Sequence, residues 1–328
     1  MNELSTVSLC TTAISGSNGT GNSSFTDNLT TLGLSLTFVS LIISVLGLAG
    51  NGIVLWFLGF KIKRNKFTVY ILNLAIADFL FLLCSFLQIF TDLPTSVIDI
   101  EWNLSNLLTA GYILVYNTGL YLLTAISLER CLSVLYPLWY RCQRPKHQST
   151  IVCVLLWVLS CLVSGIEYFL CLATHLSFAL DLNQYQMCKY TVLVSIGILT
   201  YLFFAPLMVF SNLTLFIKIR KGSQHRHPPK LFVVILVTVL IFLIFALPYR
   251  LVLIMYEIYY DFSSYLLVHS TLLLSVINSA ANPYVYFLVG RQNKQRHQGS
   301  IKVALQMVFK HEMEEEMSPS SIRVITKV

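Results

Sequence analysis

Charge is what this chain has least of. Asp, Glu, Lys and Arg make up only 11% of its 328 residues, while 56% are hydrophobic; an ordinary soluble domain carries about 25% charged residues. There is too little polar surface here to cover a water-soluble globule of this length. Short stretches of alternating polarity between turn residues are also missing, which disfavours a β-barrel. No internal repeat and no cluster of midplane charges is visible, and both would be expected of a transporter. The first 30 residues lack a basic segment followed by an apolar core, so no cleavable signal peptide is read there and the first apolar run is expected to act as the insertion signal.

What is present is a series of seven apolar runs, roughly 33–60, 67–90, 105–136, 149–172, 190–217, 231–256 and 264–290. Each is long enough to cross ~30 Å of hydrocarbon as an α-helix, whose backbone hydrogen bonds close internally. The expectation is an all-α membrane protein, a seven-transmembrane helix bundle over 33–290. An extracellular tail of 1–32 precedes it, and a cytoplasmic segment of 291–328 follows.

Lys and Arg are nearly confined to alternate loops. Lys61, Lys63, Arg64 and Lys66 follow the first run, Arg141, Arg144 and Lys146 the third, and Lys218, Arg220, Lys221, Arg226 and Lys230 the fifth. The tail adds Arg291, Lys294, Arg296, Lys302 and Lys310, whereas the opposite loops hold Lys189 alone. By the positive-inside rule the N-terminus is external and the C-terminus cytoplasmic. Three acceptor sequons agree, at Asn18, Asn22 and Asn28; the one at Asn212 falls inside the fifth run and should stay unmodified. Asp92, Asp99, Glu101, Asp181, Glu257 and Asp261 give the external loops a negative field. It either steers a basic ligand or only reflects the shortage of Lys and Arg there. Cys171 and Cys188 share the oxidising side. A bridge between them would close the second external loop, with a chain-entropy contribution of ~3 kcal/mol; the alternative is two free thiols.

Polar residues inside the runs are costly and invite explanation. Glu129-Arg130-Cys131 ends the third run, and the charged pair there is a candidate switch. Asp78 lies mid-span, with Asn278, Ser279 and Asn282 as candidate neighbours; it is either a water and Na⁺ site or a neutral packing carboxyl. Glu167 and Arg250 should face the bundle, either as ligand anchors of opposite sign or as each other's partner. Pro206, Pro248 and Pro283 each remove a backbone hydrogen bond and should bend spans five, six and seven.

Taken together, Gly50-Asn51, Leu74-Ala75-x-x-Asp78, Glu129-Arg130-Cys131, Trp157, Pro206, Pro248 and Asn282-Pro283-x-x-Tyr286 resemble the pattern of rhodopsin-like (class A) G-protein-coupled receptors, one motif per span in order. The run from Tyr116 to Cys142 narrows this to the Mas-related receptors, as do Phe67-Thr68-Val69-Tyr70 and Phe242-Leu243-Ile244-Phe245-Ala246-Leu247-Pro248. The departures from the class pattern are specific. No Cys lies between Asp92 and Tyr116, which strengthens the Cys171–Cys188 pairing. Ala246 stands where a Trp is usual, Gly119 where a Ser is common near the sodium site, and Thr214 where a Tyr is common. Tyr112 aligns with the Asp of amine receptors, so a monoamine ligand is disfavoured. Span seven has no Lys, which excludes a retinal Schiff base, and no acid begins span six, where His227-Pro228-Pro229 lie.

The resemblance implies a receptor that does no covalent chemistry and needs no cofactor. It converts binding of a peptide or small cationic ligand, with Glu167, Arg250 and Tyr112 in the pocket, into nucleotide exchange on a heterotrimeric G protein. Glu129, Arg130, Pro248, Asn282, Pro283 and Tyr286 would form the switch, with a local Glu129–Arg130 pair as the resting lock. Sensory-neuron roles such as nociception or itch are implied as well. The segment 291–310 fits an amphipathic helix on membrane lipid. Ser318, Ser320 and Ser321 are candidate sites for receptor kinases and arrestin, against a plain disordered acidic tail, and Thr326-Lys327-Val328 is a candidate PDZ ligand. Nothing points to nucleic acid. The competing classes are a transporter or channel, and a receptor that signals without ligand.

Overall fold

The computed structural model describes residues 22–62, 65–92, 102–145, 147–176, 191, 193–222, 230–258 and 262–291. All regular structure in them is helical. Seven helices are long and apolar enough to cross a membrane: Thr31–Lys61, Lys66–Phe90, Leu107–Leu135, Gln148–Ile166, Leu193–Lys218, Phe232–Met255 and Leu266–Val289. These are spans one to seven. The first helix begins earlier than expected, at Asn22, so Asn22 and Asn28 lie on helical backbone. Asn18 and the segment 292–328, with its expected amphipathic helix, fall outside the described residues.

Span three is the hub, because 72% of its most apolar window is buried against 22% for spans one and four. Leu120, Leu122 and Ile126 of span three meet Leu74 and Leu82 of span two and Val234 and Val239 of span six in one core. The other faces of spans one, four and five are apolar and exposed, as Ile42, Leu155 and Phe210 illustrate; lipid is the solvent for such faces. In lipid, close packing and interhelical hydrogen bonds must do what water exclusion does in a soluble core. Gly47 permits one close approach: a Cβ there would stand 2.7 Å from Leu82 Cδ1 and 2.8 Å from Ala280 Cβ. Asn51 Nδ2 donates to the Ser279 carbonyl at 3.1 Å, joining spans one and seven, and Trp157 Nε1 donates to Asn73 Oδ1 at 3.1 Å, joining four and two. Asn212 Nδ2 donates to Ser127 Oγ at 2.9 Å, so this sequon asparagine is a buried tie between spans five and three.

Helix ends follow local chemistry. Asn65 Oδ1 accepts from the Phe67 and Thr68 backbone N–H groups at 3.0 and 2.7 Å, and Thr68 Oγ1 accepts from the Asn65 N–H at 2.6 Å. This reciprocal cap begins span two and is worth about 1 kcal/mol. Pro137 opens a six-residue loop helix, Pro137–Cys142, at its first position, where a missing N–H costs nothing.

The prolines behave in two ways. Span five contains a π-helical turn over Thr200–Phe204 and span six one over Phe242–Ala246, each ending two residues before its proline. The proline ring presses on the carbonyl four residues back, Leu202 or Ile244, and a widened turn there relieves the clash. Pro283 lies within an unbroken α-helix, Phe262–Arg291.

Candidate functional site

At the end of the bundle that carries the basic loops, Glu129 and Arg130 are both buried. Glu129 is held by a residue that the sequence reading had assigned to a loop surface. Its Oε1 accepts from Arg144 Nε at 2.5 Å and lies 2.5 Å from Arg144 Nη2 as well. Arg144 Nη2 in turn donates to Ser149 Oγ at 2.7 Å. Arg144 is therefore not a cavity-lining cation but a buried clamp from the loop after span three. Beside the expected partner Arg130, the Glu129 carboxylate thus has Arg144.

Arg130 is stored against aromatic rings. Its guanidinium carbon lies 2.9 Å from the ring centre of Phe67 in span two and 5.4 Å from that of Phe232 in span six. At 2% exposed, Arg130 is buried in this conformation. Tyr140, on the loop helix, completes the cluster. Its ring stacks 6.4 Å from Phe67, with Lys66 Nζ 4.9 Å and the Arg144 guanidinium 5.1 Å from its centre. Burial, and then the Glu129 carboxylate, push the Tyr140 phenol above its ordinary range, so it stays protonated. Neither Phe67 nor Phe232 could have been picked out as Arg130 partners, since an aromatic at a span end is the commonest of features.

In the middle of the bundle Asp78 meets three expected neighbours. Asn282 Nδ2 donates to its Oδ2 at 2.7 Å, and Ser279 and Asn278 line the same cavity. That cavity is small, about 20 Å³, and reaches from Asp78 past Gly119 to Tyr116, Phe242 and Ala246. Two of the departures noted in the sequence create its far wall. A Cβ on Gly119 would meet nothing within 4 Å, and Ala246 contributes only a methyl. The chamber is rich in acceptors: Oδ1 of Asn278 and of Asn282 are buried without a donor. Tyr286 is buried in the same bundle layer, and Pro283 packs beside Gly50, where an added Cβ would come within 3.3 Å of it.

Towards the acidic end lies an aromatic layer. Tyr112 lies tilted 4.7 Å from Phe81 and meets Tyr249 edge-on at 5.7 Å; Tyr116 is 6.1 Å from Tyr249 and 6.2 Å from Phe242. Arg250 faces the bundle as expected, at 1% exposed, within electrostatic reach of Tyr112, Tyr116 and Tyr249. The side chains of Glu167 and Cys171 and the whole of Cys188 lie outside the described residues, so neither the Glu167–Arg250 pairing nor the Cys171–Cys188 bridge is visible. The five cysteines described, Cys84, Cys131, Cys142, Cys153 and Cys161, are free thiols.

The family model for seven-transmembrane receptors of the rhodopsin family matches residues 50–286, which contains the Glu129 cluster and the Asp78 chamber. The chain is 46% identical to the human protein named proto-oncogene Mas over 302 residues, covering 88% of this chain and 87% of that one. It is 48% identical to the rat Mas-related G-protein coupled receptor member H over 276 residues, 83% and 82% of the two chains. It is 40% identical to member D of the same group from Macaca fascicularis over 290 residues, 86% and 87%. With one motif on each span, a buried arginine at the basic end and these relatives over most of its length, the chain belongs to the rhodopsin family of seven-transmembrane receptors, and within it to the Mas-related G-protein-coupled receptors.

Proposed function

We propose that this receptor sits with its basic loops in the cytoplasm and is opened by a peptide or small cation bound at the acidic end. The observation that carries the reading is the storage of Arg130 between Phe67 and Phe232. One ring belongs to span two and the other to span six, so outward movement of span six about Pro248 removes one wall of the site. Arg130 then becomes available to the C-terminus of a Gα subunit. Glu129, kept by Arg144, does not have to follow it. The two packings differ in population, and a ligand acts by its differential affinity for them.

Asp78, the Oδ1 of Asn278 and the Ser279 hydroxyl are the oxygens that would hold water and Na⁺ in the chamber. The donor set suits a hard cation, although Gly119 supplies no hydroxyl to it. Glu167 and Arg250 are the proposed ligand anchors of opposite sign, beside Tyr112. Glycans on Asn18, Asn22 and Asn28, a Cys171–Cys188 bridge, phosphorylation of the tail serines for arrestin and PDZ capture of Val328 belong to the same proposal and rest on the sequence.

The test is a screen of basic peptides against a panel of G proteins in cells expressing the chain, with Arg130→Ala as the control. A ligand that drives exchange in the parent and not in the control supports the reading. Glu167→Gln is expected to weaken a basic agonist at unchanged surface expression, and an unshifted concentration–response curve would remove Glu167 from the pocket.

A further inference from the structure

Two tyrosine hydroxyls are bonded to the backbone of span six at its bend. Tyr116 Oη donates to the Ala246 carbonyl at 3.0 Å, and Tyr201 Oη donates to the Leu247 carbonyl at 2.7 Å. Ala246 is the last residue of the π-helical turn and Leu247 the first of the helix that carries Pro248. The donors come from spans three and five, so the bend is held from two neighbouring helices at consecutive carbonyls. A carbonyl has two lone pairs and can accept from a side chain in addition to the helix.

Both donors are fixed on elements other than span six. Tyr116 is wedged among Phe81, Tyr249 and Phe242, with ring centres 6.4, 6.1 and 6.2 Å away. Tyr201 lies in the π-helical turn of span five. A change in bend at Pro248 that moves the two carbonyls relative to spans three and five breaks both bonds. Ala246 itself offers only a methyl to the chamber below. In this conformation Arg130, at the basic end of span three, is buried.

We infer that Tyr116 and Tyr201 are positioning residues that latch the span-six bend closed by paired hydrogen bonds to the Ala246 and Leu247 carbonyls. Displacement of the aromatic layer around Tyr112 opens the receptor by withdrawing the Tyr116 bond. The inference rests on the receptor reading above and adds to it the residues that set the resting population.

Tyr116→Phe and Tyr201→Phe keep the rings and remove only the hydroxyls. In the full chain, purified into lipid nanodiscs without ligand, paired labels at Thr150 and Lys230 report the distance between the basic ends of spans four and six. Each variant is expected to raise the ratio of long to short distances by about five-fold, the yield of one net hydrogen bond, and the double variant by more than either. The fold is checked by circular dichroism. Should Tyr116→Phe not fold, Tyr201→Phe alone decides, since its donor is only half-buried. An unchanged distance distribution in the folded variants overturns the latch, because a merely structural tyrosine would lower thermal stability without moving span six. Basal nucleotide exchange on the G-protein panel is read in parallel. Span six opening with flat exchange keeps the latch and removes the coupling reading; exchange in the parent with span six unmoved in both variants removes the latch and keeps the receptor.

Discussion

The basic end and the middle of this bundle handle buried polarity in opposite ways. At the basic end three buried charges are held by direct contacts: Glu129 by Arg144, Arg144 also by Ser149, and Arg130 between Phe67 and Phe232. Around Asp78 the polar groups line a small cavity, and amide oxygens of Asn278 and Asn282 have no donor. A region clamped by direct contacts can occupy one arrangement or another, with little between. A region with slack accommodates the helix shifts that separate the two. The difference suits a switch whose output end is discrete and whose interior yields.

The clamp should be the easier of the two to break. Arg144→Ala leaves the Glu129 carboxylate buried without its partner, and removal of one member of a buried pair costs about 3–5 kcal/mol. A large drop in thermal midpoint, partly restored by adding Glu129→Gln, is the expected result; equal loss in the single and double variants would show that the two do not interact. Phe67→Leu keeps an apolar side chain and removes the cation–π contact, worth about 0.5–2 kcal/mol. It should raise basal nucleotide exchange several-fold at unchanged surface expression, and a flat basal level would mean that Arg130 is held elsewhere. The smallest effect is expected in the chamber. Gly119→Ala adds a methyl to open space on a helix and should stabilise by up to about 1 kcal/mol, seen as a rise in thermal midpoint of the purified receptor. A fall would show that the chamber needs its full volume.

Much of the architecture was legible beforehand because membrane spans are long and compositionally loud. The seven runs were found within a few residues, and the Asp78 neighbours were named from polarity alone, since polar residues deep in apolar runs have few places to go. The misses have a common cause. Arg144 read as one more loop cation among Arg141 and Lys146, and nothing local distinguishes a basic residue that turns inward from one that faces lipid headgroups. Phe67, Phe232, Tyr140 and Tyr201 are unremarkable in a chain with 21 Phe and 17 Tyr. Pro206 and Pro248 announced bends, but not that a π-helical turn would precede each while Pro283 sat in regular helix.

By itself the sequence determined that this chain must be a bundle of membrane helices, because a chain with so little charge and seven such apolar runs can satisfy its backbone in no other way. It also determined which side chains would be expensive to bury. Which partner relieves each of them was decided only by the tertiary structure. Glu129 found Arg144 fifteen residues on, Arg130 found rings on spans two and six, and the span-six bend found hydroxyls on spans three and five. Those pairings depend on how the spans rotate and approach one another, and that is set by packing across the whole bundle, beyond the reach of any local pattern.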